Sequence, residues 1–117
     1  MMLIVAGTIA TDPDLVDDLL ADLCAGIASS LAEEGCEAYH FAMEDRAAGH
    51  VLTFQAWRDE RALALHLARP ELGQLVARWQ DRFDVRTRIY EGDAVRPVGE
   101  WRDPSNRRLV EYSRKSD

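Results

Sequence analysis

Residues 34–70, EGCEAYHFAMEDRAAGHVLTFQAWRDERALALHLARP, decide the fold. The stretch reads as two strands joined by a short loop and followed at once by a helix. Asp45-Arg46-Ala47-Ala48-Gly49 is a polar five-residue connection, and Gly49 supplies the positive φ that such turns need. Pairing Glu44 with His50 sets Met43 against Val51, Phe41 against Thr53 and Tyr39 against Gln55. Side chains alternate along a strand, so these residues share one face with Trp57. The other face carries Ala38, His40, Ala42, Leu52, Phe54 and Ala56. The first face mixes aromatic rings with a hydroxyl, an amide and an indole N–H, the usual lining of a small-molecule pocket.

The rest of the chain falls into place around this hairpin. Met2 to Ala10 is an apolar, β-branched run and reads as a strand. Asp12 then serves as an N-cap, Pro13 suits the first helical turn, and Asp14, Asp17 and Asp18 favour the positive end of the helix. Leu15, Val16, Leu19, Leu20, Leu23, Ile27 and Leu31 form one helical stripe, ended by Gly35. Asp59 caps a second helix holding Leu63, His66 and Leu67, and Pro70 interrupts it. A further helix restarts there, with Leu72, Leu75, Val76 and Trp79 on one side. Asp84 to Glu91 is a last strand, with Val85, Thr87 and Ile89 opposite Arg86, Arg88 and Tyr90. The order β-α-β-β-α-β predicts a ferredoxin-like α+β fold: a four-stranded antiparallel sheet with its helices on one face. Residues 1–91 form this domain. Residues 92–117, rich in arginine, glycine and proline, form an extension whose Trp101, Leu109, Val110 and Tyr112 suit docking on its own body or a partner.

Composition bounds the function. The chain has 117 residues, enough for one domain with a proper core. A net charge of −7 argues against a nucleic-acid surface, which needs a basic face. The apolar runs are too short to span a bilayer, and no basic region precedes the first of them, so neither membrane insertion nor a signal peptide is expected. The cytoplasm is the expected location. Cys24 and Cys36 lack metal-ligand spacing, and His40 and His50 find no third ligand, so no metal site is expected. Helices cover only one side of the sheet. The apolar side left open favours a homodimer with the two sheets face to face.

The runs GCEAYHF, LTFQAW, ALALHLARPEL and RIYEG resemble the antibiotic biosynthesis monooxygenase domain, to which small quinol monooxygenases also belong. The likeness covers roughly Met2 to Glu91. It implies the same ferredoxin-like fold and a dimeric α+β barrel. It also implies oxygenation of anthrone- or quinol-type aromatics without metal, flavin or haem. By the resemblance, Trp57 matches the tryptophan that ends the third strand, His66 a histidine common on the following helix, and Tyr39 the aromatic of the second strand. Gln55 stands where many members carry glutamate, which removes a carboxylate base. The haem-degrading relatives place an asparagine and a histidine where this chain has Ala6 and Val76, so haem degradation is not expected.

These readings combine into one expectation. A small aromatic molecule enters a pocket lined by Phe41, Thr53 and Arg86. His66 acts as base, and Tyr39, Gln55 and the Trp57 N–H hold the developing oxyanion. The competing readings are a non-catalytic small-ligand binder and a proton-transfer isomerase on the same scaffold. Glu33 and Glu34 read as solvated residues at a helix end.

Overall fold

A computed structural model of the chain describes residues 1–93 and 95–101. Its four strands are β1 (Met2–Thr11), β2 (Cys36–Asp45), β3 (His50–Trp57) and β4 (Phe83–Gly92). They form one antiparallel sheet in the order β2-β3-β1-β4, the ferredoxin-like arrangement. Helices α1 (Val16–Cys24), α2 (Ile27–Leu31), α3 (Glu60–Leu67) and α4 (Pro70–Trp79) supply the second layer. A 3-10 turn at Pro13–Leu15 precedes α1, and another lies at Val98–Glu100. Leu109, Val110 and Tyr112, expected to dock the extension, lie outside the described residues. No described helix is long and apolar enough to cross a membrane.

The hairpin register is Tyr39↔Gln55, Phe41↔Thr53 and Met43↔Val51. It departs from expectation only beside the loop, where Asp45 rather than Glu44 pairs with His50. Glu44 is thus the extra residue of a bulge, and its carboxylate accepts a hydrogen bond from the Thr8 hydroxyl. Gly49 has φ +76, and a Cβ there would lie 2.0 Å from the Thr11 carbonyl oxygen. Its own carbonyl accepts from the Thr11 N–H at 2.8 Å. That close approach ties the turn to the end of β1.

Capping follows the residues named from sequence. Asp12 accepts from the Asp14 N–H at 2.8 Å and Asp59 from the Ala62 N–H at 2.9 Å. Arg69 is extended (ψ 136), as the residue before a proline tends to be, so α3 stops and α4 restarts at Pro70. The expected single first helix is instead broken. α1 ends at Cys24, and α2 restarts after Gly26, a poor helix former. Leu31, expected on the inward stripe, lies at its edge and is exposed, whereas Ser30, seven residues beyond Leu23, is buried. Gly35 does not follow the helix directly; it lies beyond the C-cap Ala32, with φ +85.

The core sits between the sheet and the helices in two clusters. Ile9 and Val51 of the sheet pack with Val16, Leu19 and Leu23 of α1 and Trp79 of α4. Leu3, Tyr39 and Trp57 pack with Ala62 and Leu63 of α3. Phe41 touches both clusters. On the opposite side Leu52, Phe54 and Tyr90 remain exposed.

Candidate functional site

Tyr39, Gln55, Trp57 and His66 come together beneath the helical layer. β2 and β3 place Tyr39 and Gln55 side by side in the register, and Trp57 follows on the same face. The α3 stripe Ala62, Leu63 and His66 lies over them. Trp57 is wholly buried and His66 nearly so. Their ring centroids are 4.5 Å apart, and the Tyr39 ring meets His66 edge-on at 5.2 Å and Trp57 at 6.3 Å.

Their hydrogen bonds differ from those expected. The Trp57 Nε1–H donates to Gln55 Oε1 at 3.1 Å. The indole donor and the Gln55 carbonyl therefore satisfy each other, and neither is aimed at a ligand oxyanion. His66 Nδ1 lies 2.8 Å from Glu33 Oε2, and Arg69 donates to the same oxygen at 2.8 Å. A carboxylate only accepts, so the neutral imidazole carries its proton on Nδ1 and leaves the Nε2 lone pair as its basic site. Glu33 is thus a partner of the buried histidine and not a solvated helix end. Ser30 and Glu33 were hidden in the sequence because a polar side chain near a helix end looks solvent-facing until its distant partner is known.

Of the four, Tyr39 is the one that lines a cleft. A cleft of about 250 Å³ runs between α1–α2 and α4, with Leu23, Leu72 and Leu75 as apolar walls and Tyr39 among its lining residues. Ser29, Asp22 and Arg78 line it as well. The volume falls near the small end of ligand pockets, typically ~300–1,000 Å³. Burial pushes the Tyr39 phenol above its ordinary pKa, against a partly opposing effect of the Ser30 hydroxyl, and the Glu33 charge adds to the rise. Tyr39 is therefore protonated at neutral pH and available as a donor.

The other expected contacts do not line this cleft. Phe41 is packed into the core, 5.2 Å from the Tyr39 ring. Thr53 is buried on the same face, and its Oγ1 has no hydrogen-bond partner among the described residues. Arg86 lies on the opposite side of the sheet. Its neighbours Val85 and Thr87 share the Tyr39 face through the β1 register, so alternation turns Arg86 outward, where it pairs with Asp84 at 2.8 Å. Among the described residues no three His, Cys, Asp or Glu side chains gather as a metal ion requires.

Comparison with known proteins agrees with this fold. The family model described as antibiotic biosynthesis monooxygenase matches residues 2–82. A curated relative, the uncharacterized protein sll1783 of Synechocystis, is 30% identical over 79 residues. That match covers 68% of this chain but only 54% of the relative, so the chain spans about half the length of the relative it matches. A Deinococcus radiodurans structure named as a candidate antibiotic biosynthesis monooxygenase superposes with a TM-score of 0.70 at 23% identity, covering 82% of this chain and 97% of the other. Rv0793 from Mycobacterium tuberculosis superposes with a TM-score of 0.66 at 23% identity, covering 82% and 97%.

Proposed function

Because this chain belongs to the antibiotic biosynthesis monooxygenase family, we propose that it oxidises a small electron-rich aromatic, of quinol or anthrone type, with O₂ and without a bound cofactor. The observation that carries the reading is the placement of Tyr39. It is a buried phenol kept protonated, open to the cleft on one side and in contact with the Glu33-bonded His66 on the other.

The substrate supplies the electrons. Loss of a proton converts an anthrone to its enolate, which passes one electron to O₂. The carbon radical and superoxide combine to a peroxide, and loss of water leaves a ketone. One oxygen atom stays in the product and the other leaves as water. Tyr39 donates a hydrogen bond to the substrate oxygen where negative charge develops. His66, oriented by Glu33 through Nδ1, takes the proton on Nε2 through water, since the imidazole lies behind the cleft wall. The apolar walls orient the ring and exclude bulk water.

The test is oxygen uptake with an anthrone and metal-free protein. Tyr39→Phe and His66→Ala should each lower kcat by about 10²–10³, the range for losing one oxyanion donor or one general base. Turnover that persists in His66→Ala removes the histidine from the chemistry. One observation favours a second reading, ligand binding without turnover. Gln55 and Trp57 are bonded to each other, and no carboxylate base replaces them. Quenching of protein fluorescence by ligand with no O₂ uptake across a substrate panel would select it, and turnover under nitrogen would select an isomerase.

The reading includes a homodimer. The open face presents the rows Arg88-Ala6-Phe54-His40 and Arg86-Thr8-Leu52-Ala42, apolar at the centre and charged toward the β4 edge. A second copy covers it about a two-fold axis. Sedimentation should give a dimer at micromolar concentration, and Phe54→Asp should give a folded monomer. A wild-type monomer would refute the assembly. The unpaired cysteines Cys24 and Cys36 suit a reducing cytoplasm.

A further inference from the structure

Asp22, on α1, takes no part in the chemistry above, yet it lines the same cleft as Tyr39. Its Oδ2 accepts from the Trp79 indole N–H at 2.8 Å and from Arg78 Nε at 3.2 Å. Among the described residues, its Oδ1 accepts only from Arg78 Nη2, at 3.3 Å. A carboxylate offers about four acceptor positions, so three are taken and the free one lies on Oδ1. The indole donor, aided by the Arg78 guanidinium, holds the Asp22 carboxyl below the usual range against the opposing effect of burial. At neutral pH it is an anion that can only accept.

The charge pattern around it is equally informative. Arg78 also lines the cleft, but its guanidinium already serves Asp22. Glu71 adds a second carboxylate to the lining, and its ion pair is with Arg69, which also binds Glu33. A ligand carboxylate entering the cleft meets two anions and a cation that is already engaged. A ring hydroxyl meets an acceptor with a vacant position.

We propose that Asp22 is the specificity-determining residue of the cleft: its Oδ1 accepts a hydrogen bond from a second ring hydroxyl of a ligand whose first meets Tyr39. The cleft then takes uncharged polyhydroxylated aromatics and rejects their carboxylated analogues. This rests on the cleft being the ligand site argued above, but not on oxidation taking place there.

The test is equilibrium binding to the full chain under nitrogen. The probes are a naphthalenediol and the same diol bearing one ring carboxylate. The diol should bind wild type at least about tenfold more tightly, as expected for two like charges brought within several ångströms at a protein surface. Asp22→Asn keeps the size and removes the charge. It should weaken the diol and strengthen the carboxylate, bringing the ratio to parity or below as Arg78 is released. Glu71→Gln should strengthen the carboxylate alone, which separates direct contact from general repulsion. An unchanged ratio in folded Asp22→Asn overturns the assignment, as does equal wild-type affinity for the two probes or no binding of either. Selective binding of the diol with no oxidation of any anthrone or quinol in air refutes the oxygenase reading and leaves this one standing.

Discussion

Trp57→Ala should cost about 3–5 kcal/mol, the range for truncating a large buried aromatic where the walls cannot collapse. The indole is wholly buried, meets the rings of both Tyr39 and His66, and ends β3 beneath α3. A domain of this size is stable by roughly 5–15 kcal/mol, so the loss takes a large share of the total. Urea unfolding monitored by circular dichroism measures it. Trp57→Phe keeps most of the packing and frees the Gln55 amide, a partly exposed residue that can turn to water. It should cost about 1–2 kcal/mol. A Trp57→Ala loss below about 1 kcal/mol would show that the rings around it are loosely held, and the pocket argument would fail with it.

Gly7→Ala should be nearly as damaging, at about 3 kcal/mol or more, although it adds one methyl group. Gly7 sits on β1 between Thr53 of β3 and Thr87 of β4. Its φ is +151, and a Cβ would lie 2.3 Å from the Arg86 carbonyl oxygen and 2.8 Å from the Thr87 Cα. Both are backbone atoms, so no side chain can swing away; β4 itself must shift. Gly73→Ala is the control. It lies on α4, where an added Cβ meets nothing within 4 Å, and helix propensity predicts a gain of up to about 1 kcal/mol. Urea midpoints for the two variants should move in opposite directions.

Much of this architecture was legible in the residues. Alternation was enough to set the hairpin register away from the turn, because a slip by one residue would have exchanged the two faces, but the five-residue loop count missed the bulge at Glu44. Asp12, Asp59 and Pro70 marked helix ends through local chemistry that tertiary packing did not override. The site was harder to read. Tyr39, Gln55, Trp57 and His66 do share one space, but alternation reports a shared face and not which atoms are already bonded. The Gln55–Trp57 bond and the core packing of Phe41 therefore appear only in three dimensions. Arg86 was misassigned because a lone edge strand does not reveal which of its two faces meets the helices. Glu33 looked like a solvated helix end and Asp22 gave no signal at all, since their partners lie far along the chain.

The interruption at Ala25–Gly26 has an evolutionary corollary. An unbroken rod would couple every position along it, so a swap near the ligand would disturb the α1 stripe. Two short pieces can be re-clocked against each other instead. The first anchors on Ile9 and Val51, while the second turns Ser30 toward the phenol of Tyr39 and leads the chain to Glu33. Lengthening or shortening the joint by a single residue would bring a different pair of side chains to the imidazole and leave the sheet untouched. Diversification of chemistry on this scaffold can proceed at that joint without renegotiating the foundation.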